Sequence, residues 1–212
     1  MCSKPNQRPQ KATLFHILNN CDGFLGETER YTWRHNSVLQ YITHTLKEDL
    51  PSHIQLYADL DGHKCNGLTI PQNIVVTPSR CDLVIVDSSP PNQTVYLFEL
   101  TVSFERIGNM EAANSRKYER YSGLAEDIRE AGFKCQNIPF EIGSRGHIDL
   151  ENKSRLTIMH KLCKPRTKFS KFWQNISKTS LLCSYSVYLS RQDTWTGCPL
   201  LSPVRQIYVT PS

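Results

Sequence analysis

Two neighbouring strand-like segments constrain the fold of this chain more than any other feature. Residues 82–87 and 94–102 are rich in β-branched and aromatic side chains, and the turn-forming segment SSPPNQ separates them. Two such segments around a Pro/Asn turn predict an antiparallel hairpin. If the hairpin is symmetric about the Pro90–Pro91 bond, three pairs lie opposite each other: Val86 with Val95, Val84 with Leu97, and Asp82 with Glu99.

The pairing of Asp82 with Glu99 is the chemically informative part of this hairpin. Opposite residues share a face of the sheet, with Cβ atoms about 5 Å apart. Two carboxylates so placed repel each other and raise each other's pKa unless a cation lies between them. A divalent metal ion is the usual cation in such a position. Two alternatives stay open: ordinary solvated strand ends, and a one-residue slip that moves Glu99 to the other face.

The following segment, residues 110–131, predicts a long helix, because it contains no proline and only one glycine. Ala113, Lys117, Tyr121 and Leu124 recur at helical spacing and therefore fall on one stripe. A lysine on an otherwise small or apolar stripe is costly to bury unless an acid or a phosphate compensates its charge. Asp82, Glu99 and Lys117 together form a candidate site for phosphodiester cleavage.

The remaining segments predict an α/β protein, or α+β, with a mixed sheet flanked by helices. A helix ends before Pro51, strands are expected at 53–59 and 137–142, and helices at 152–164 and 171–191. We divide the chain into residues 1–29, a connecting helix at 30–50, a catalytic core at 51–150, and basic helices with a tail at 151–212.

The positive charge is concentrated at the C-terminal end. Residues 161–212 contain eight lysines and arginines against one aspartate, a net charge of +7, whereas the whole chain carries +5. Such a basic region beside an acidic pocket suits a partner with a phosphate backbone, although basic tails often serve only solubility. Lys168 and Lys171 are the candidate nucleic-acid contacts in this region.

The cysteines and the N-terminus favour an intracellular protein, nuclear or cytoplasmic, that is neither secreted nor inserted in a membrane. The eight cysteines show no paired spacing, and the first residues are polar and basic. No apolar segment approaches the ~18 residues that a membrane-spanning helix needs. We therefore expect reduced thiols.

Three short patterns are weaker indications. His16 and Cys21 have the spacing of the second half of a CCHC zinc knuckle, with Cys2 as the only further ligand, so a zinc site would be incomplete. A core histidine with unrelated cysteines is the alternative. Arg34, His35 and Asn36 could contact phosphate or simply be polar surface residues. Arg145, between Gly143 and Gly146, lies in a segment that suits phosphate binding or an ordinary turn.

In order and spacing, these motifs resemble the C-terminal part of site-specific non-long-terminal-repeat retrotransposon polyproteins, which carry a restriction-like endonuclease after the reverse transcriptase. The matching segments are His16–Cys21, Tyr31–Leu39, Cys81–Asp82, Glu99–Glu105, Ala113–Tyr121 and Gly143–Gly146. Cys81 stands where the family has proline. Thr101 stands where standard restriction-fold nucleases keep a lysine, and the resemblance makes Lys117 its substitute.

The resemblance implies a PD-(D/E)XK-type, restriction-endonuclease-like fold and a Mg²⁺-dependent endonuclease that nicks target DNA to prime reverse transcription. Asp82 and Glu99 would hold the metal with the Leu100 carbonyl, Lys117 would act on water or phosphate, and Tyr121 and Arg120 would position Lys117 or contact the DNA backbone. RNA is a second candidate partner. A catalytically inactive nucleic-acid-binding remnant of the same polyprotein, or an inactive relic, are the alternatives.

Overall fold

A four-stranded mixed sheet forms the centre of the structure. The computed structural model describes residues 13–19, 21, 29–91, 93–105 and 109–198, with the backbone alone at residues 19 and 109–118. The helices are α1 (Leu14–Asn19), α2 (Arg30–Leu46), α3 (Asn109–Glu130), α4 (Leu150–Cys163) and α5 (Phe169–Leu189). The strands are β1 (Ile54–Ala58), β2 (Leu83–Asp87), β3 (Thr94–Ser103) and β4 (Lys134–Gly143).

The strands follow one another across the sheet in the order β1-β2-β3-β4. The first three are antiparallel neighbours, whereas β3 and β4 are parallel. Helix α3 supplies the crossover that a parallel pair requires. The predicted mixed α/β class, with a mixed sheet flanked by helices, is confirmed.

The predicted hairpin and its register are also confirmed. Val86 pairs with Val95 and Val84 with Leu97, and the last pair of the ladder is Leu83 with Phe98. Valine and isoleucine fill β2 because it is buried on both faces, which favours a continuous apolar segment over strict alternation.

Helices cover both faces of the sheet. On one face α2, α4 and α5 pack against the sheet in a core that contains the fully buried rings of Phe98, Phe140 and Phe172. On the other face α3 packs Leu124, Ala125 and Ile128 against the sheet. Because α4 and α5 share the first core with the strands, they belong to the same packed unit as the sheet.

Local sequence explains where α4 begins. Asp149 is its N-cap, and its carboxylate accepts a hydrogen bond from the Asn152 N–H at 2.7 Å. This bond satisfies one of the four N–H groups that a helix start leaves without an intrahelical partner. The Asn152 side chain in turn accepts from the Glu141 N–H at 2.7 Å and ties α4 to β4.

Candidate functional site

The two predicted acids, Asp82 and Glu99, meet at one end of the β2–β3 hairpin. Asp82 immediately precedes β2, and continuing the Leu83–Phe98 pairing by one residue places it opposite Glu99. The Asp82 N–H donates to Glu99 Oε1 at 3.0 Å. Glu99 is 2% exposed, and the Asp82 side chain is 15% exposed. The structure therefore brings the two carboxylates together where solvent has little access. Asp82 is the more exposed of the two.

The Asp82 carboxylate is oriented by groups from two other elements. Its Oδ2 accepts a hydrogen bond from the Leu100 N–H at 2.8 Å. The same oxygen lies 3.2 Å from His35 Nε2 on α2, and His35 Nδ1 lies 3.0 Å from Asn36 Oδ1. These contacts fix the rotation of the carboxyl group, so its direction is set before any ligand arrives.

Helix α3 brings Tyr121 to the same end of the hairpin. Tyr121 is buried, and its hydroxyl donates to the Arg80 carbonyl at 2.9 Å. Burial, followed by the negative charge of Glu99, raises the pKa of Tyr121 well above its usual range. The Tyr121 hydroxyl therefore stays protonated and acts as a hydrogen-bond donor.

Lys117 lies in α3, one turn before Tyr121. Residues separated by four positions share a helix face, and Tyr121 already faces the sheet. The sheet-facing position of Lys117 stays a prediction. The position of its side chain lies outside the described part of the structure.

The candidate nucleic-acid contacts separate into buried and exposed side chains. Arg120, Lys168 and Lys171 are exposed, and the Arg120 guanidinium lies 5.3 Å from the centre of the Tyr121 ring. Arg34 is 4% exposed and donates to the carbonyls of Leu18 and Val102 at 3.0 and 2.9 Å. These bonds hold Arg34 in the interior, so we remove it from the candidate phosphate contacts.

Arg145 occupies the loop after β4 and is tied to the segment after β3. Its backbone N–H and its Nε donate to the Glu105 carboxylate at 2.7 and 2.9 Å. Its guanidinium also lies 4.7 Å from the centre of the Phe104 ring. About half of the side chain, 51%, remains exposed. Arg145 therefore serves loop structure and remains accessible to an anion.

Gly143 has a steric reason to be glycine. A Cβ at this position would come within 2.1 Å of Glu105 Oε1, far inside van der Waals contact. The close approach of Glu105 to the backbone of this loop therefore requires the missing side chain. Glycine here reflects the packing of an acid, a reason that the sequence alone does not reveal.

The zinc-knuckle residues fall at the edge of the described region. His16 lies in α1, and its Nε2 is buried without a hydrogen-bond partner among the described residues. Cys21 is fully buried against Ile17, Leu18 and Val187. Cys2 lies outside the described residues. The incomplete zinc site stays a prediction.

Two residues have contacts near the acid pair that the sequence analysis does not predict. Asp59 follows β1 and lies opposite Asp82, because Ala58 pairs with Leu83. His35, expected as a phosphate contact, instead touches Asp82. Extending the hairpin register to the neighbouring strand predicts the position of Asp59, whereas the contact of His35 depends on tertiary packing.

The acid pair has the chemistry of a magnesium site with few protein ligands. Mg²⁺ commonly keeps several waters and uses one or two carboxylates. Asp82 and Glu99 supply two carboxylates, and Leu100, whose N–H already orients Asp82, offers a backbone carbonyl. Among the described residues, no three His, Cys, Asp or Glu side chains gather closely enough to form a ligand set by themselves.

No protein-family model and no curated protein sequence matches the chain. In the part of the chain that the structure describes, no helix combines the length and apolar character needed to cross a membrane.

Proposed function

We propose that this chain is a Mg²⁺-dependent DNA endonuclease domain with a restriction-endonuclease-like fold. The observation that carries the proposal is the adjacency of Asp82 and Glu99 across the hairpin, with the Asp82 N–H on the Glu99 carboxylate. The retrotransposon context, in which such a domain nicks target DNA to prime reverse transcription, follows from the motif resemblance.

The proposed roles of the side chains follow from their positions. Asp82 and Glu99 would hold the metal ion together with the Leu100 carbonyl. When bound, Mg²⁺ lowers the pKa of a water molecule and neutralises charge on the scissile phosphate. His35 and the Leu100 N–H keep the Asp82 carboxylate in one orientation, so no free energy is spent on arranging it during the reaction.

Helix α3 supplies the remaining groups of the proposed site. Lys117 would stabilise negative charge on the phosphate or orient the attacking water. Tyr121, locked to the Arg80 carbonyl, fixes the rotation of α3 against the hairpin. Arg120 remains exposed beside Tyr121 and can neutralise a backbone phosphate.

Nicking of supercoiled plasmid by the full chain tests this proposal. We expect Mg²⁺-dependent conversion to the open-circular form, and a loss of rate of about 10²- to 10³-fold in Asp82→Ala and in Lys117→Ala. Glu126→Gln, at an exposed acid on the outer side of α3, is the matched control and should cut like the wild type. A wild-type chain that cuts no faster than Asp82→Ala would refute the proposal.

A second candidate function is nucleic-acid binding without catalysis. The exposed cations of α4, α5 and the loop between them favour it: Lys161, Lys164, Arg166, Lys168, Lys171 and Lys178. Binding to such a surface depends steeply on salt. Salt-dependent DNA binding without metal-dependent nicking would select this function over the first.

A further inference from the structure

Three carboxylates, not two, line up across the sheet at the proposed site. Ala58 pairs with Leu83, and Leu83 with Phe98. The next residues in these registers are Asp59, Asp82 and Glu99, one on each of three adjacent chain segments. The Asp59 N–H donates to the Asp82 carbonyl at 3.0 Å and continues the β1–β2 pairing by one residue.

Asp59 differs from the other two acids in what surrounds it. Its Oδ1 lies 2.9 Å from Lys64 Nζ and accepts from Arg80 Nε and Nη2 at 3.2 and 2.6 Å. Burial raises the pKa of Asp59, but the hydrogen bonds from Arg80 and Lys64 outweigh it and lower that pKa overall. Asp59 is therefore ionised and holds two cations at this corner, and the charge of Asp61 also acts on Arg80.

Arg80 is the accessible member of this corner. Its side chain is 59% exposed, against 20% for Lys64 and 22% for Asp59. Its backbone carbonyl accepts the Tyr121 hydroxyl, and it precedes Asp82 by two residues. The exposed Arg120 lies against the other part of Tyr121, its aromatic ring. Tyr121 therefore contacts the backbone of one exposed arginine and the guanidinium of another.

We propose that Arg80, oriented by Asp59 and supported by Lys64, binds a DNA backbone phosphate adjacent to the one that Asp82 and Glu99 address. This inference rests on the proposed endonuclease function. A guanidinium has five N–H donors. Arg80 uses its Nε and one terminal nitrogen on Asp59, and its side chain is largely exposed. Asp59 thus anchors a phosphate-binding group and is not a metal ligand.

The position of this corner suits a phosphate next to the scissile one. Neighbouring positions across paired strands have Cβ atoms about 5 Å apart, so Asp59, which anchors Arg80, lies one strand away from Asp82. The acid pair alone would repel the DNA backbone. A fixed cation beside it offsets this repulsion before the metal arrives and holds the strand in register.

Equilibrium binding tests the inference separately from cleavage. We would titrate the full chain into a fluorescein-labelled DNA duplex without divalent metal, follow anisotropy at several KCl concentrations, and compare Arg80→Gln, Arg80→Lys and Lys134→Gln. Lys134 is an exposed lysine at the opposite end of the sheet, where it pairs with Thr94. A thermal melt of each variant confirms that it is folded.

We expect Arg80→Gln to weaken binding about 5- to 10-fold near 0.1 M salt and to reduce the slope of log K against log salt by about 1. Arg80→Lys should restore the slope, because it keeps the charge, and Lys134→Gln should resemble the wild type. A slope for Arg80→Gln equal to that of Lys134→Gln, or a wild-type chain that binds no DNA, would overturn the inference.

The two proposals fail in distinguishable ways. If the wild type does not nick plasmid but Arg80→Gln still reduces the salt slope, the endonuclease proposal is wrong and the phosphate contact stands. If the wild type nicks plasmid and the Arg80→Gln slope is unchanged, only the phosphate contact is wrong.

Discussion

At the scale of single residues, Arg34 shows how a cation can serve the fold and not a ligand. Its guanidinium bonds the carbonyl of Leu18, near the end of α1, and that of Val102 in β3. Burial lowers the pKa of Arg34 to about 10, which leaves it charged at neutral pH. The ring of Tyr31 lies 4.9 Å from the guanidinium carbon and adds a cation–π contact.

Arg34→Ala should therefore be costly for stability and neutral for DNA binding. Removing the guanidinium leaves two interior carbonyls without their donor, and we expect the free energy of unfolding to fall by about 2 to 4 kcal/mol. Arg166→Ala, at a side chain that is 78% exposed, is the control and should cost less than about 0.5 kcal/mol. Urea unfolding measures both, and the salt slope of DNA binding should be unchanged in Arg34→Ala. If Arg34→Ala reduced the salt slope of DNA binding without lowering the free energy of unfolding, Arg34 would again be a candidate phosphate contact.

Residue identity alone could not separate Arg34 from Arg80. Both are arginines near a strand or a helix start, yet one is 4% exposed and the other has a side chain that is 59% exposed. The difference comes from α1 packing against α5 and covering Arg34, a tertiary contact without local sequence signal. For Asp82 and Glu99 the sequence was sufficient, because hairpin symmetry determines which residues lie opposite.

At the scale of elements, an acidic side chain links the segment after β3 to the loop after β4. Glu105 follows β3 and accepts hydrogen bonds from the Arg145 N–H and Nε in the loop after β4. Burial raises the pKa of Glu105, but hydrogen bonds from the Arg145 side chain and from backbone N–H groups, including that of His147, outweigh it and lower that pKa. The ionised Glu105 carboxylate is thus the form that holds the loop after β4 in place.

Glu105→Gln should flatten the dependence of stability on pH. Because the folded-state pKa lies below the unfolded value of about 4.3, the carboxylate stabilises the fold above that value and loses its effect as pH falls through the folded-state pKa. Relative to the wild type, we expect a loss of about 1 to 2 kcal/mol at pH 7 that shrinks as the pH falls through the folded-state pKa of Glu105.

Denaturant unfolding at a series of pH values measures this difference. Glu126→Gln, at an exposed acid on α3, serves as control and should track the wild type throughout. A Glu105→Gln deficit that stays constant from pH 7 to pH 3 would contradict the assigned ionisation.

The periodicity of apolar residues predicted most helices and strands, but it predicted where they begin and end less accurately. Strand β4 runs over Lys134–Gly143, longer than the predicted 137–142, because pairing with β3 extends it in both directions. Helix α5 begins at Phe169, two residues before the predicted start. For β4 the partner strand, and not the local sequence, determines where the element ends.

At the scale of the whole molecule, the two ends of the described chain meet. Arg30, at the start of α2, donates to the carbonyls of Ser190 and Asp193 at 2.8 and 2.6 Å, just after α5. Trp195 packs against Trp33 with ring centres 5.7 Å apart. The start of α2 is thereby fixed, and His35, one turn further along, is held beside Asp82.

The central claim is that Asp82 and Glu99 together hold one divalent metal ion, and a direct binding measurement tests it. Electron paramagnetic resonance of free Mn²⁺, titrated with the full chain, counts bound metal without requiring a DNA substrate. We predict one site that is lost in both Asp82→Asn and Glu99→Gln and is retained in Glu126→Gln, at an exposed acid of α3. Equal Mn²⁺ binding by all four proteins, or none by the wild type, would contradict the account.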